Sequence, residues 1–244
     1  MTNTAPLPEA LAERLAFSHL DSEALGRVKS VEAGVLKYLG PALDRFYAHL
    51  GSEPQVAKFF ADRDQLQRAK GAQSKHWTAI AGGQLDASYF DSSYRIGRRH
   101  AQIGLEPRWY IGGYGLIAET IIKGLISDFF EAQAAKPRGM FARRDEQAER
   151  QEIAEFGESV AALVKSILVD VDIAVTTYFD RLTAEAAAQQ KASSDKIALA
   201  VTSVGDVLRQ VAEGDLTARV TADLDPELEQ INRTPMPWPI ACSR

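Results

Sequence analysis

Apolar residues recur every three or four positions along almost the whole of this 244-residue chain. The pattern is clearest from Ile153 to Leu182, where Phe156, Val160 and Leu163 open the stripe. Such spacing places side chains on one face of an α-helix, whereas strands need strict alternation closed by Asn-Gly or Asp-Gly turns. Those strand signals are missing, and the chain is therefore predicted to be all-α.

Proline, glycine and capping residues divide this pattern into separate helices. Asp86 precedes one helical pattern as an N-cap, and Pro107 suits the first position of the next. The predicted helices cover residues 9–19, 21–50 with a bend at Gly40-Pro41, 64–81, 86–104, 107–133 and, as the longest, 147–182.

Composition limits the class of protein. Apolar residues make up 45% and charged residues 25% of the chain, as in a globular protein, and the net charge of −5 does not favour nucleic acid. No apolar run is long enough to cross a membrane, and "MTNTAPLPEALAERL" has no secretory leader. The single cysteine, Cys242, excludes an intrachain disulfide. We expect a cytoplasmic protein without a transmembrane segment.

Motifs of known enzyme chemistry are missing from the sequence. There is no Ser/His/Asp or Cys/His set and no pair of metal-ligand motifs. The string "GRRHAQIG" lacks the preceding strand and the lysine of a phosphate-binding loop. We expect a protein that is not an enzyme.

His100 lies near the end of a predicted helix, on the same face as Ile96 and Ile103. A lone histidine between isoleucines is more often a core residue than a ligand. The same arrangement also suits an imidazole that binds haem iron in an apolar cleft. Three neighbouring residues can meet haem propionates or solvent: Arg95, Arg98 and Arg99.

Three further strings favour the second interpretation. They are "FY" at Phe46-Tyr47, "HW" at His76-Trp77, and "HAQIGLEPRWYIGGY" from His100 to Tyr114. Together they resemble the globin-coupled sensors, the bacterial and archaeal haem globins that head aerotaxis transducers and cyclases. The resemblance implies a globin fold for residues 1–182 and a haem b whose iron is bound by His100. It also implies a diatomic gas ligand. Oxygen is the expected gas, and carbon monoxide and nitric oxide are the alternatives.

The resemblance also assigns the gas side of the pocket. Tyr47 matches a tyrosine whose hydroxyl donates to bound oxygen; the alternative is a tyrosine satisfied by a backbone carbonyl. Ala69 and Ala72 match positions that face the haem. Some family members have a threonine at the position of Ala72, and that donor is absent here. Gln73 is expected either to replace it or to point to solvent.

Other residues are expected around the haem. Ile96 and Ile103 flank the iron ligand, and Trp109 forms part of the wall. Tyr110 matches a pocket tyrosine that the family links to signal transmission. His76 is expected at the rim of the cleft, with an approach to the haem edge or the iron as the alternative.

The chain beyond the globin-like region changes composition. Residues 183–231 are predicted to be a helical linker with a partial HAMP-like segment, because Ile197, Val201, Val204 and Leu208 form a short heptad seam before "VAEGDLTARV". "LDPELEQIN" is expected to begin a second helix. Residues 232–244 form an irregular tail, and the partners expected further on are an output domain or chemotaxis proteins.

The stripe of the longest helix is too wide for one globin core to cover. A homodimer through helices 107–133 and 147–182 is therefore expected, with Ile167 and Val171 on the outer part of the stripe.

The predicted function is a haem-based oxygen sensor domain of a chemotaxis or aerotaxis transducer. The alternative is a haem-free sensor globin that acts as an interaction scaffold, with a structural His100. A haem peroxidase or dioxygenase would need a distal acid–base pair, and Ala69 and Ala72 argue against one.

Overall fold

The computed structural model describes residues 7–136, 146–222 and 224, and every structural statement below refers to these. They contain helices and no strand, so the all-α prediction is confirmed. The helices are α1 Glu9–Phe17, α2 Ser22–Ser30, α3 Glu32–Ser52, α4 Pro54–Ala57, α5 Arg63–Ala81, α6 Ala87–Ile103, α7 Pro107–Ala135 and α8 Glu146–Ala212.

The first long helical pattern breaks at a different place from the one predicted. Val31, with φ −101° and ψ 2°, separates α2 from α3, whereas Pro41 lies inside α3. Pro41 has no backbone N–H to donate to the carbonyl of Lys37, and both residues are exposed. Leu39 before the proline and Ala42 and Leu43 after it are buried in the core, and they hold the helix on both sides of Pro41.

The ends of α6 and α7 follow the sequence signals. The carboxylate of Asp86 accepts a hydrogen bond from the backbone N–H of Tyr89 at 2.9 Å and so caps α6. Gly104 ends that helix with φ +75°, a left-handed conformation that suits glycine, and Pro107 is the first residue of α7. His100 is thereby fixed in the last turn of α6, close to the start of α7.

The core combines side chains from all the longer helices. Its largest fully buried apolar members are Trp77, Leu11, Leu43, Ile80, Ile117, Ile121, Leu163 and Ile173. Helices α3 and α7 approach closely where Gly113 lies under the ring of Phe46, since a Cβ on Gly113 would come within 2.9 Å of that ring.

Helix α8 presents an unexpected buried face. Four of its polar residues are buried with the apolar ones: Ser159, Ser166, Asp170 and Thr177. Ile167 is only 6% exposed and belongs to the core, and Val171 is half-buried. The prediction that these two lie on the outer part of the stripe is wrong, because the outer positions are Leu168 and Phe179, each 58% exposed.

The chain divides into two compact units, Met1–Arg181 and Leu182–Arg244. Helix α8 has no end near residue 182, and it continues through the predicted linker to Ala212. In the second unit, Ile197, Val201 and Leu208 of the predicted seam are exposed. The second helix expected in the HAMP-like segment, beyond residue 224, and the tail 232–244 lie outside the described residues.

Within residues 7–136 and 146–222, none of the helices combines the length and the apolar character that a membrane crossing requires.

Gly97 tests the close packing of α6 on α8. A Cβ at this position would lie 2.9 Å from the Cα of Ala174 and 3.1 Å from the Cβ of Thr177. We expect Gly97→Ala to lower the free energy of unfolding by roughly 1–3 kcal/mol in urea titrations, because the backbone of α8 must move away. Gly115→Ala, which has nothing within 4 Å of the new Cβ, is the control and should be neutral or stabilising.

Candidate functional site

A cavity of about 430 Å³ opens among α3, α5, α6 and α7, a size typical of small-molecule sites. All the site residues predicted from the sequence line it: Tyr47, Ala69, Ala72, Gln73, His76, Ile96, His100, Ile103, Trp109 and Tyr110. Sequence reasoning gave no site role to several other lining residues, among them Phe46, Phe59, Phe60 and Tyr114. Phe46 and Tyr114 belong to the strings "FY" and "HAQIGLEPRWYIGGY" that carried the prediction, whereas Phe59 and Phe60 lie outside all three strings.

His100 contributes a neutral imidazole to this cavity. Burial, assisted by the positive charge of Arg99 and opposed by Asp170, lowers the pKa of His100 to about 4. Its Nδ1 atom is buried and has no hydrogen-bond partner. The ring centroid lies 5.0 Å from that of Tyr110, which packs on it from α7. An imidazole that stays neutral at physiological pH retains the lone pair that a metal requires.

These surroundings fit a haem. The cavity is lined by aromatic and aliphatic side chains, including Phe46, Ile96 and Ile103, which suit an apolar macrocycle. Arg95 and Arg99 line the same cavity and are exposed, so their guanidinium groups can meet both solvent and carboxylates.

Tyr47 brings a hydroxyl donor to the wall formed by α3. It is only 8% exposed, and the rings of Phe46 and Phe60 pack edge-on against it with centroids at 5.2 and 6.1 Å. Burial raises the pKa of Tyr47 to about 12. The hydroxyl therefore keeps its proton at all physiological pH values and can donate a hydrogen bond into the cavity.

Helix α5 supplies the small residues and an amide. Ala69 and Ala72 line the cavity without adding polar groups. The Oε1 atom of Gln73 is buried without a hydrogen-bond partner, so this side chain does not point to solvent. The expectation that Gln73 points to solvent is therefore wrong, and the alternative, that it replaces the missing donor, stays a prediction.

His76 lies deeper than the rim position predicted for it. The residue is 7% exposed, and its ring stacks on Tyr89 with centroids 5.5 Å apart and 7° between planes. Its Nε2 atom is 2.9 Å from Oδ1 of Asp170 on α8.

Asp170 is the residue near this site that the sequence analysis missed. It is fully buried, and its carboxylate receives hydrogen bonds from five side chains on α5, α6 and α7. Oδ1 accepts from His76 at 2.9 Å, Tyr89 at 2.5 Å and Ser93 at 2.7 Å, and Oδ2 accepts from Tyr110 at 3.3 Å and from Tyr114.

The pKa of Asp170 reflects two opposing influences. Burial acts to raise it, but the hydrogen bond from His76, with those from the hydroxyls of Tyr114 and Tyr89, brings it below the ordinary aspartate value. The group is therefore an ionised carboxylate at neutral pH. Burial, together with this negative charge, raises the pKa values of Tyr89, Tyr110 and Tyr114 well above the ordinary value, so the three hydroxyls remain donors.

Comparison with known proteins gives both a family and a fold. The family model described as Protoglobin matches residues 7–184. A curated relative, the heme-based aerotactic transducer HemAT of Halobacterium salinarum, is 26% identical over 225 residues, which are 87% of this chain and 43% of that protein. This chain thus spans about two-fifths of the length of that relative.

The globin domain of a Geobacter sulfurreducens globin-coupled sensor superposes with a TM-score of 0.54 at 18% identity, over 68% of this chain and 96% of that one. The globin fold predicted from the sequence is thereby confirmed.

The neutral state of His100 can be tested in the haem-free protein. The folded-state pKa of about 4 lies below the ordinary 6.5, so the unfolded chain takes up the proton first. We expect the free energy of unfolding to fall as pH drops from about 6.5 and this contribution to level off below about 4. The difference between wild type and His100→Leu in urea titrations should show this slope. The exposed His49, changed to glutamine, is the control; a slope unchanged in His100→Leu would contradict the prediction.

Proposed function

This chain belongs to the Protoglobin family, and we propose that it is the haem-binding sensor domain of a signal transducer that responds to a diatomic gas, with oxygen as the first choice. The observation that carries the proposal is His100, a neutral imidazole with an unpartnered Nδ1 in a cavity lined by apolar side chains. The curated relative is a heme-based aerotactic transducer, and its name supports the same function.

In the proposed sensor, His100 would bind the iron of a haem b, and Arg95 and Arg99 would meet its propionates. The haem supplies an open iron position that binds a diatomic gas reversibly. The hydroxyl of Tyr47 would donate a hydrogen bond to dioxygen in the cavity, and the side chains of Ala69 and Ala72 would leave room for the gas.

The proposed role is binding and signalling rather than catalysis. Its relative is a transducer of which this chain spans less than half, so the output lies with a further domain or with chemotaxis proteins. The single cysteine in 244 residues suits the cytoplasm, where we place the protein. A haem-free scaffold, the alternative, gives no reason for an unpartnered imidazole in a cavity of this size.

We further propose that two copies associate through α7 and α8. Both helices carry exposed apolar side chains in the globin unit: Phe130 is 60% exposed, Leu168 58%, Ile153 47% and Ile126 40%. Covering such residues with a second copy would remove apolar surface from water.

An absorption spectrum of the purified protein tests the central proposal. We expect a Soret band that shifts when the ferrous protein meets oxygen or carbon monoxide. His100→Ala should lose most of its haem, while His49→Ala, at an exposed position on α3, should keep it. Full haem occupancy with an unchanged spectrum in His100→Ala would refute the assignment of the iron ligand.

Tyr47→Phe tests the donor to oxygen. Loss of one neutral hydrogen bond of about 0.5–1.5 kcal/mol should speed oxygen dissociation roughly three- to tenfold in stopped-flow measurements. Carbon monoxide carries less negative charge when bound, and its dissociation should change less. Equal small changes for the two gases would count against this role.

The dimer can be tested by sedimentation of charged variants. We expect wild type to sediment as a dimer, and Phe130→Glu or Leu168→Glu to give monomers that still bind haem. Phe17→Glu, at an 89% exposed position on α1, should remain dimeric. A monomeric wild type at micromolar concentration would remove the interface.

A further inference from the structure

We infer that Asp170 is a positioning residue of the gas cavity: its carboxylate holds Nε2 of His76 toward α8 and so withholds this imidazole from the place where the gas binds. The inference rests on the proposed function. It concerns a residue that does not itself line the cavity, whereas three of its donors, His76, Tyr110 and Tyr114, do.

Because Asp170 is ionised, His76 is the donor in the hydrogen bond between them. A carboxylate accepts hydrogen bonds and has no proton to donate. The 2.9 Å contact between His76 and Asp170 therefore uses the Nε2–H of the imidazole. This contact engages Nε2 of His76, and Nδ1 is the ring nitrogen that it leaves out.

A second contact fixes the plane of the same ring. His76 stacks almost parallel on Tyr89, and the hydroxyl of Tyr89 donates to the same carboxylate oxygen at 2.5 Å. Rotating the imidazole toward the cavity centre would break the hydrogen bond and the stacking together. Both restraints end at Asp170, so this one residue controls the orientation of His76.

The other carboxylate oxygen holds the wall next to His100. It accepts from Tyr110 and Tyr114 of α7, whose hydroxyls are 3.1 Å apart. Tyr110 in turn packs on the His100 ring. One buried group on α8 therefore restrains side chains near both histidines of the cavity.

Release of His76 has a chemical consequence. A neutral imidazole with a free Nε2 is a strong iron ligand, and His76 and His100 line the same cavity. Freed from Asp170, His76 competes with the gas for its position. This outcome separates a positioning role from simple packing, since loss of packing alone would not depend on His76.

Asp170→Asn is the first test, made in the haem-bound protein. The amide keeps the shape, but it carries no charge and turns an N–H group toward donors. We expect carbon monoxide association to slow by roughly tenfold or more, the effect of losing one hydrogen bond to a charged group. A low-spin ferrous spectrum of the two-histidine type should appear. Both changes should disappear in Asp170→Asn/His76→Ala, as a double-mutant cycle requires.

Ser166→Ala is the matched control. Ser166 is fully buried on the same helix, one turn before Asp170, but its hydroxyl bonds the carbonyl of Ala162 within α8. We expect its gas kinetics to equal those of wild type. An Asp170→Asn variant that behaves like Ser166→Ala, or a change that persists when His76 is removed, overturns the inference.

A measurement on wild type keeps the inference testable if Asp170→Asn fails to fold. In the carbon monoxide form, ¹⁵N NMR should show His76, assigned by its loss in His76→Ala, with a slowly exchanging proton on Nε2. A proton on Nδ1 alone, or rapid exchange at Nε2, overturns the inference. If the wild type takes up no haem, the proposed function itself fails. If the wild type binds haem but Asp170→Asn has the same gas kinetics as the wild type, only the present inference fails.

Discussion

A carboxylate without solvent exposure destabilises a fold unless donors replace the water it has lost. Asp170 meets this requirement with five donors from three other helices, and that requirement constrains where α5, α6 and α7 can lie. The contact between Gly97 and Ala174 makes the arrangement geometrically feasible. It brings α6 so close to α8 that Ser93, one turn before Gly97, reaches Asp170, one turn before Ala174, at 2.7 Å.

The cavity, too, contains few polar groups. Its donors and acceptors are confined to a few side chains, whereas most of the wall is aromatic or aliphatic. Burial keeps His100 neutral although the negative charge of Asp170 acts in the opposite direction, so desolvation dominates the pKa of this imidazole. The two histidines thus have different surroundings. Nε2 of His76 bonds a carboxylate, and Nδ1 of His100 has no hydrogen-bond partner.

Local signals made much of this arrangement predictable from the sequence. Helix period, the Asp86 cap and Gly104 located α6, and the family motifs selected residues that do line one cavity. The break at Val31 falls on a residue that is neither proline nor glycine, so no local signal marks it, whereas the helix runs through Pro41 because Ala42 and Leu43 are buried. Asp170 was missed because a search for apolar stripes ignores charged residues, and its partners lie 56 to 94 positions away along the chain. Its position in register with Leu163, Ile167 and Ile173, all buried, was the available signal.

The saturation of Asp170 also determines how the proposed sensor can respond. A ligand shifts a protein only between arrangements that it binds with different affinity. A small displacement of Tyr110 would remove one of the two described donors of Oδ2 and leave a lone pair of this buried carboxylate unfilled, at a cost of about 1–3 kcal/mol. Intermediate positions of Tyr110 are therefore disfavoured, which favours discrete over gradual changes of this cavity wall. Discrete steps are what coupling between a gas site and a distant output requires, because an element with two arrangements can be biased by both.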